Sequence, residues 1–200
     1  MSNPAQNEHP IHDLLKSRWS PRAFLDKPVP KEAILSLLEA ARWAASSYNE
    51  QPWRFILATK EDPKEYQRAL ECLVPQNQAW ARLAPVLVLT VTKETFTLNG
   101  SPNRVAEHDV ALAMANLTVQ ATALGLCVHQ MGGVDLDKVR ATYGVPAGYK
   151  PVTAAAVGYE GPADLLPEAF REAEVAERKR KPLQELVFTG AWGKPAPQVG

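Results

Sequence analysis

Residues Glu107–Leu124, EHDVALAMANLTVQATAL, decide how this chain must fold. Val110, Leu112, Met114, Leu117, Val119 and Leu124 surround the axis of a predicted helix, and Ala111, Ala113, Ala115, Ala121 and Ala123 fill the gaps between them. A helix that is apolar nearly all round has to be covered on every side. In a chain of 200 residues this predicts a central helix, covered in part by a partner subunit. Gly125 ends it.

Outward from this helix the chain alternates. Downstream, Leu126–Met131 is a predicted strand running into Gly132-Gly133, Asp135–Tyr143 a helix that Asp135 can cap, and Pro151–Tyr159 a further strand. Upstream, Thr95–Asn103 is a polar loop. Before it, Pro85 introduces Val86–Thr92, a continuous apolar run that implies a strand buried on both faces. Earlier still come helices over Ile11–Lys16, Lys31–Ala45 and Pro63–Leu73 and a strand over Trp53–Thr59. In the second helix Ile34, Leu37, Leu38, Ala41, Ala44 and Ala45 form an apolar stripe, with Glu32, Ser36 and Glu39 turned away from it. Such alternation belongs to an α/β or α+β domain. After Gly161 charged residues crowd Glu168–Lys181, and Leu183–Phe188 is apolar enough for a short strand or helix. One domain over residues 1–200 is expected, with a core at about 10–160 and a tail at 161–200 that wraps a partner.

Composition narrows the function. Hydrophobic residues make up 46% and charged residues 22%, and 22 Lys+Arg balance 22 Asp+Glu. A formal net charge of zero argues against bulk attraction to nucleic acid or an anionic membrane. No secretory leader or bilayer-length apolar run is evident, and Cys72 and Cys127 fall in no metal or redox spacing, so a reducing, cytoplasmic setting is expected. The four histidines (His9, His12, His108, His129) suit surface or satisfied core positions, not a metal site. There is no Gly-x-Gly-x-x-Gly after a strand, no phosphate-binding Walker sequence and no nucleophile elbow.

Four segments carry possible chemistry. Arg18-Trp19-Ser20-Pro21-Arg22 sets two guanidiniums four apart around a hydroxyl, a grip for an oxyanion or simply a solvated loop. Ser46-Ser47-Tyr48-Asn49-Glu50-Gln51-Pro52-Trp53 is either a helix terminus with a turn or a loop whose amides pair with a planar heterocycle. Asn49 and Gln51 each offer a donor and an acceptor for an imide edge. Gln130-Met131-Gly132-Gly133 is a tight turn or a close backbone approach to a flat ligand. Arg178-Lys179-Arg180-Lys181 is a solvated face, a nucleic-acid patch or the second half of a phosphate clamp.

Taken in this order, the segments make the chain resemble the nitroreductase family. The likeness runs through the Arg-x-Ser-x-Arg loop and Ser-Ser-x-Asn-x-Gln-Pro-Trp. It continues through the Asp-x-Ala-x-x-x-x-Asn-Leu-x-x-x-Ala helix at Asp109–Ala121, the Gly-Gly strand end and a basic-Pro-Leu tail, over about residues 10–188. The resemblance implies an α+β sandwich with a central, mostly antiparallel sheet, built as an intertwined homodimer with one FMN at each end of the interface. It implies oxidation of NAD(P)H and reduction of a small acceptor, such as a nitroaromatic or a quinone, in ping-pong fashion. No side chain need serve as a catalytic nucleophile, because the flavin carries the hydride.

The same resemblance assigns the cofactor contacts. Arg18 and Ser20, flanking Trp19, would meet the phosphate and ribityl chain with Arg178 and Arg180. Arg22 would lie by the N1/C2 edge, Ser47, Asn49 and Gln51 near the pyrimidine ring, and Met131, Gly132 and Gly133 by N5. A fixed cation beside N1 stabilises the reduced flavin. Many relatives carry Glu where Gly132 stands, and the Thr95–Asn103 segment is short, so the acceptor is the least constrained element. Other reactions on this fold, dehalogenation or flavin breakdown, and a non-catalytic flavin carrier are the alternatives.

Overall fold

The computed structural model describes residues 3–199. Its element order is α1 (Asp13–Ser17), α2 (Lys31–Arg42), β1 (Trp53–Thr59), α3 (Pro63–Leu70), α4 (Pro75–Ala81), β2 (Val86–Lys93), α5 (Ala106–Ala123), β3 (Cys127–Met131), α6 (Leu136–Tyr143), β4 (Tyr149–Gly158) and α7 (Glu168–Val175), with short 3-10 turns between and after them.

The four strands form one sheet in the order β1-β2-β4-β3, and every neighbouring pair is antiparallel. Because side chains alternate along a strand, β2 feeds two cores at once. Leu87 and Leu89 pack with Leu70, Leu73, Trp80 and Val139 of the α3–α4–α6 side. Val86 and Val88 pack with Leu37, Ala41, Val110, Met114 and Leu117 of the α2–α5 side. The result is the expected α+β sandwich, and the continuous apolar run of β2 is buried along almost its whole length. No helix among the described residues is long and apolar enough to cross a membrane.

Local chemistry sets the ends of the elements. Asp62 caps α3 by accepting from the Glu65 amide, with Pro63 in the first turn. Asp135 caps α6 as anticipated, accepting from the Lys138 amide at 2.9 Å. Gly125 follows α5 at φ +70°, where a left-handed residue stops the helix.

Several boundaries differ from the sequence reading. The helices expected at Ile11–Lys16, Lys31–Ala45 and Pro63–Leu73 are shifted or end earlier, and β4 begins two residues before Pro151. Helices α4 and α7 were not anticipated. The first is short and polar in composition, and the second lies in the charge-rich tail. Leu183–Phe188 forms a 3-10 turn at Leu183–Glu185 followed by a bridge from Phe188 to Pro195.

The central helix is covered on one side within the chain. Val110, Ala113, Met114, Leu117 and Ala121 are buried, whereas Ala111, Ala115, Asn116 and Ala123 are exposed. The inward face thus joins Val110, Met114 and Leu117 to Ala113 and Ala121, and the outward face is made small by Ala111, Ala115 and Ala123.

Candidate functional site

The Arg18–Ala23 loop is pinned from several sides, which fixes the direction of its side chains. His129 on β3 places Nδ1 3.0 Å from the Pro21 carbonyl oxygen. A carbonyl can only accept, so Nδ1 holds the proton. Burial pushes the His129 ring down to about 4, helped by the nearby Arg22 charge and opposed by the carbonyls of Pro21 and Ser20. Trp80 packs against the same ring with centroids 4.4 Å apart. From α7, the buried Glu174 carboxylate accepts from the amides of Arg22 (2.8 Å) and Ala23 (2.9 Å). Past β4, the Leu25 amide donates to Tyr159 and the Gly161 amide to Ala23.

Held this way, Arg18 and Ser20 line a groove of about 340 Å³ with Ala115, Thr118 and Val119 of α5 and Gln130 of β3. Arg18 Nη1 lies 3.2 Å from the Ser20 hydroxyl. The tail returns to the same place. Burial lowers the Arg18 pKa, and the Arg180 charge lowers it further. Arg178 is lowered by burial and then by Arg18 and Arg180. Three guanidiniums thus converge and repel one another. Among the described residues no carboxylate lies within ion-pairing distance of any of them. Arg178 instead donates to the Asn3 carbonyl at 2.6 Å and Arg180 to the Lys179 carbonyl at 2.7 Å. Three such cations, of which Arg18 and Arg178 are partly desolvated, are met best by a polyanion that forks onto several of them.

The second group of candidate residues lies elsewhere. Ser47–Asn49 is a 3-10 turn with Tyr48 and Asn49 at φ 53°, and Gln51 has φ 52°. Three non-glycine residues in the left-handed region need outside support. Asp109, buried in the first turn of α5, accepts from the Ser47 amide at 3.0 Å. Glu50 is held by the Thr97 amide (2.8 Å), the Thr97 hydroxyl (2.5 Å) and Lys93 Nζ (3.0 Å). The Thr97 hydroxyl above all, then its amide and Lys93, bring the Glu50 carboxyl down to about 2 against the cost of burial. Asn49 and Gln51 are themselves exposed, joined by a 3.3 Å bond from Gln51 Nε2 to the Asn49 carbonyl.

One chain does not bring these groups together. The Ser47–Gln51 loop leads into β1 at one edge of the sheet and rests on Asp109. The Arg18–Arg22 loop rests on β3 at the opposite edge, and its groove reaches Thr118. Three strand spacings correspond to roughly 14 Å. Nine residues of helix give a similar separation along α5, roughly 13 Å.

Other candidates are placed as follows. Trp19 turns its indole to Glu160, 3.4 Å away, on the far side of the loop from the groove. The Met131 side chain is buried in the core with Trp80 and Leu89. The two glycines part ways. A Cβ on Gly133 would lie 2.5 Å from Asn77 Nδ2 and 2.8 Å from Val74, and its carbonyl accepts from both residues, so its close approach is to α4 of its own chain. Gly132 has nothing within 4 Å of such an atom. Arg22 is only partly exposed, and its guanidinium lies 3.7 Å from Glu174. Sequence reasoning missed Thr118 and Glu174, and it named Gln130 only as part of the strand end. Thr118 and Gln130 face each other at 3.2 Å in the groove.

The model of the Nitroreductase family matches residues 15–159. The chain belongs to the nitroreductase family. A solved structure described as an oxidoreductase containing FMN superimposes with a TM-score of 0.89 at 36% identity, covering 96% of this chain and 98% of that one. A nitroreductase family protein from Clostridium difficile 630 gives 0.68 at 26% identity, covering 89% and 96%. A protein of Xanthomonas oryzae named "Putative NADH dehydrogenase/NAD(P)H nitroreductase" is 28% identical over 183 residues, 82% of this chain and 92% of that protein. The matched family span stops before α7. The place of Arg178 and Arg180 in this family member therefore rests on the geometry of its own tail.

Proposed function

We propose that this protein is a homodimeric FMN-dependent oxidoreductase. It oxidises NAD(P)H and passes the electrons to a small acceptor, a nitroaromatic or a quinone, in two half-reactions at one site. The observation that carries this reading is the convergence of Arg18, Arg178 and Arg180, without a carboxylate among them, beside a groove floored by small residues. That donor set fits the dianionic phosphate of a mononucleotide. Family membership and similarity to a protein described as containing FMN point the same way.

In this reading Arg18, Arg178 and Arg180 grip the phosphate, and the Ser20 hydroxyl, with Gln130 and Thr118, faces the ribityl chain. Bound there, FMN supplies the hydride and electron transfer. Arg22, on the same loop, would supply a guanidinium to the N1/C2 edge and so favour the reduced state. Gly132 leaves the N5 side free of side-chain atoms. The partner subunit supplies the Ser47–Gln51 loop, since one chain holds that loop at the opposite edge of the sheet. The exposed small residues of α5, Ala111 and Ala115, support a close helix contact across a two-fold axis.

Steady-state oxidation of NADH and NADPH, with and without a quinone or nitroaromatic, tests the function. Parallel double-reciprocal lines are expected. Absence of nicotinamide oxidation by flavin-loaded protein with every acceptor would contradict it.

A further inference from the structure

Glu174 is an odd residue to bury. It sits in the last turn of α7, where the helix carbonyls disfavour an anion, yet its residue is only 4% exposed. A buried carboxylate is tolerated only when its oxygens are met. Oε1 accepts from the Arg22 amide at 2.8 Å and the Ala23 amide at 2.9 Å, Oε2 lies 3.1 Å from the Arg22 amide, and Arg22 Nη1 stands 3.7 Å from Oε2. All four contacts go to the loop that carries Arg18, Ser20 and Arg22. Four and six residues beyond Glu174 the tail delivers Arg178 and Arg180 to Arg18.

The geometry points to Glu174 as a positioning residue of the cofactor site, one that locks the tail to the Arg18–Ala23 loop and sets the net charge that Arg22 presents there. This rests on the FMN reading of the site. The two roles separate by substitution. Glu174→Gln keeps an oxygen for the two amides but removes the charge that offsets Arg22. Glu174→Ala removes both and leaves two backbone donors without an acceptor.

Redox titration of bound FMN, followed by its visible absorption, distinguishes this from a purely structural role. For Glu174→Gln the full charge of Arg22 acts on the site. Reduced FMN should then bind about tenfold tighter relative to oxidised FMN, a rise in midpoint potential of about 30 mV. In an Arg22→Ala background the same substitution should raise the potential as well, because the Glu174 charge it removes is there without its cation. Glu174→Ala should bind both redox states at least tenfold more weakly. A Glu174→Gln potential that is unchanged or lower overturns the proposal. So does a Glu174→Gln protein that loses its thermal unfolding transition, since the carboxylate would then be a support of the fold. Failure of the unaltered protein to take up FMN at all is a separate result, and it refutes the reading of the function instead.

Discussion

His129 Nδ1 and the Pro21 carbonyl oxygen lie 3.0 Å apart, a single hydrogen bond that ties strand β3 to the loop bearing Arg18, Ser20 and Arg22. The ring is held neutral, at about 4, by burial against Trp80. An unfolded histidine titrates near 6.5. Between those values the unfolded chain binds a proton that the folded one does not, so stability falls as pH falls through this window. The loss should be on the order of 2–3 kcal/mol from pH 7.5 to pH 4. Urea unfolding across that range measures it. His129→Asn, which keeps a donor near the place of Nδ1 and cannot charge, should show a shallower slope by about one proton.

Glu50 anchors the Ser47–Gln51 loop to Thr97 and Lys93. With its folded pKa depressed to about 2, its contribution is intact above the ordinary carboxylate range and disappears only on further acidification. Glu50→Ala removes the acceptor for the Thr97 amide, the Thr97 hydroxyl and Lys93. It should cost about 1–3 kcal/mol at pH 7. It should also weaken FMN binding in both redox states without moving the potential. A potential shift in this variant would place Glu50 nearer the flavin than its contacts allow.

Sequence and structure agree most closely where the determinants are local. Trp53–Thr59 was delimited correctly because Pro52 and the Glu61–Asp62 turn bracket an aromatic and β-branched run. Helix α4 escaped because its sequence, PQNQAWA, has no stripe and its N-cap, Val74, offers no side-chain acceptor. Helix α7 lies where charged residues crowd Glu168–Lys181, without an apolar stripe to announce it. Only Phe170, four residues before Glu174 and packed on the core, marked one of its faces as inward. The motif residues of the site were legible as residue types. Their grouping was not, because Gln130 meets Thr118 and Glu174 meets Arg22 only through tertiary packing. Asp109 and Asn116 of the helix motif likewise acquire their reasons in three dimensions, one holding the Ser47 amide and the other the Ala40 carbonyl at 3.2 Å.

Substitution of the arginines should separate binding from tuning. Arg18→Ala and Arg180→Ala remove the proposed phosphate partners. They should release FMN while leaving the potential of the bound fraction nearly unchanged, because the phosphate does not change during turnover. Arg22→Ala should lower the potential by roughly 30–65 mV, the equivalent of about 1.5–3 kcal/mol for a charge-assisted contact. Glu174, left without its cation, acts in the same direction. An unchanged potential in Arg22→Ala together with a shift in Arg180→Ala would reverse the roles of these residues.

Mixing subunits tests whether two chains build each site. An Arg18→Ala chain paired with an Asn49→Ala chain forms one doubly altered site and one unaltered site if Arg18 and Asn49 come from different subunits. Refolding the two defective proteins together should therefore recover FMN binding, up to half a site per chain in the mixed dimers. If both residues came from one chain, every site would carry a lesion and nothing would be recovered.

The most direct measurement is an anaerobic titration of the purified protein with reduced nicotinamide, after its chromophore has been released and identified. One FMN per chain is expected, its visible absorption bleached by one equivalent of NADH or NADPH and restored by a quinone. A colourless protein that takes up no added FMN, or bound flavin that neither nicotinamide reduces, would contradict the assignment.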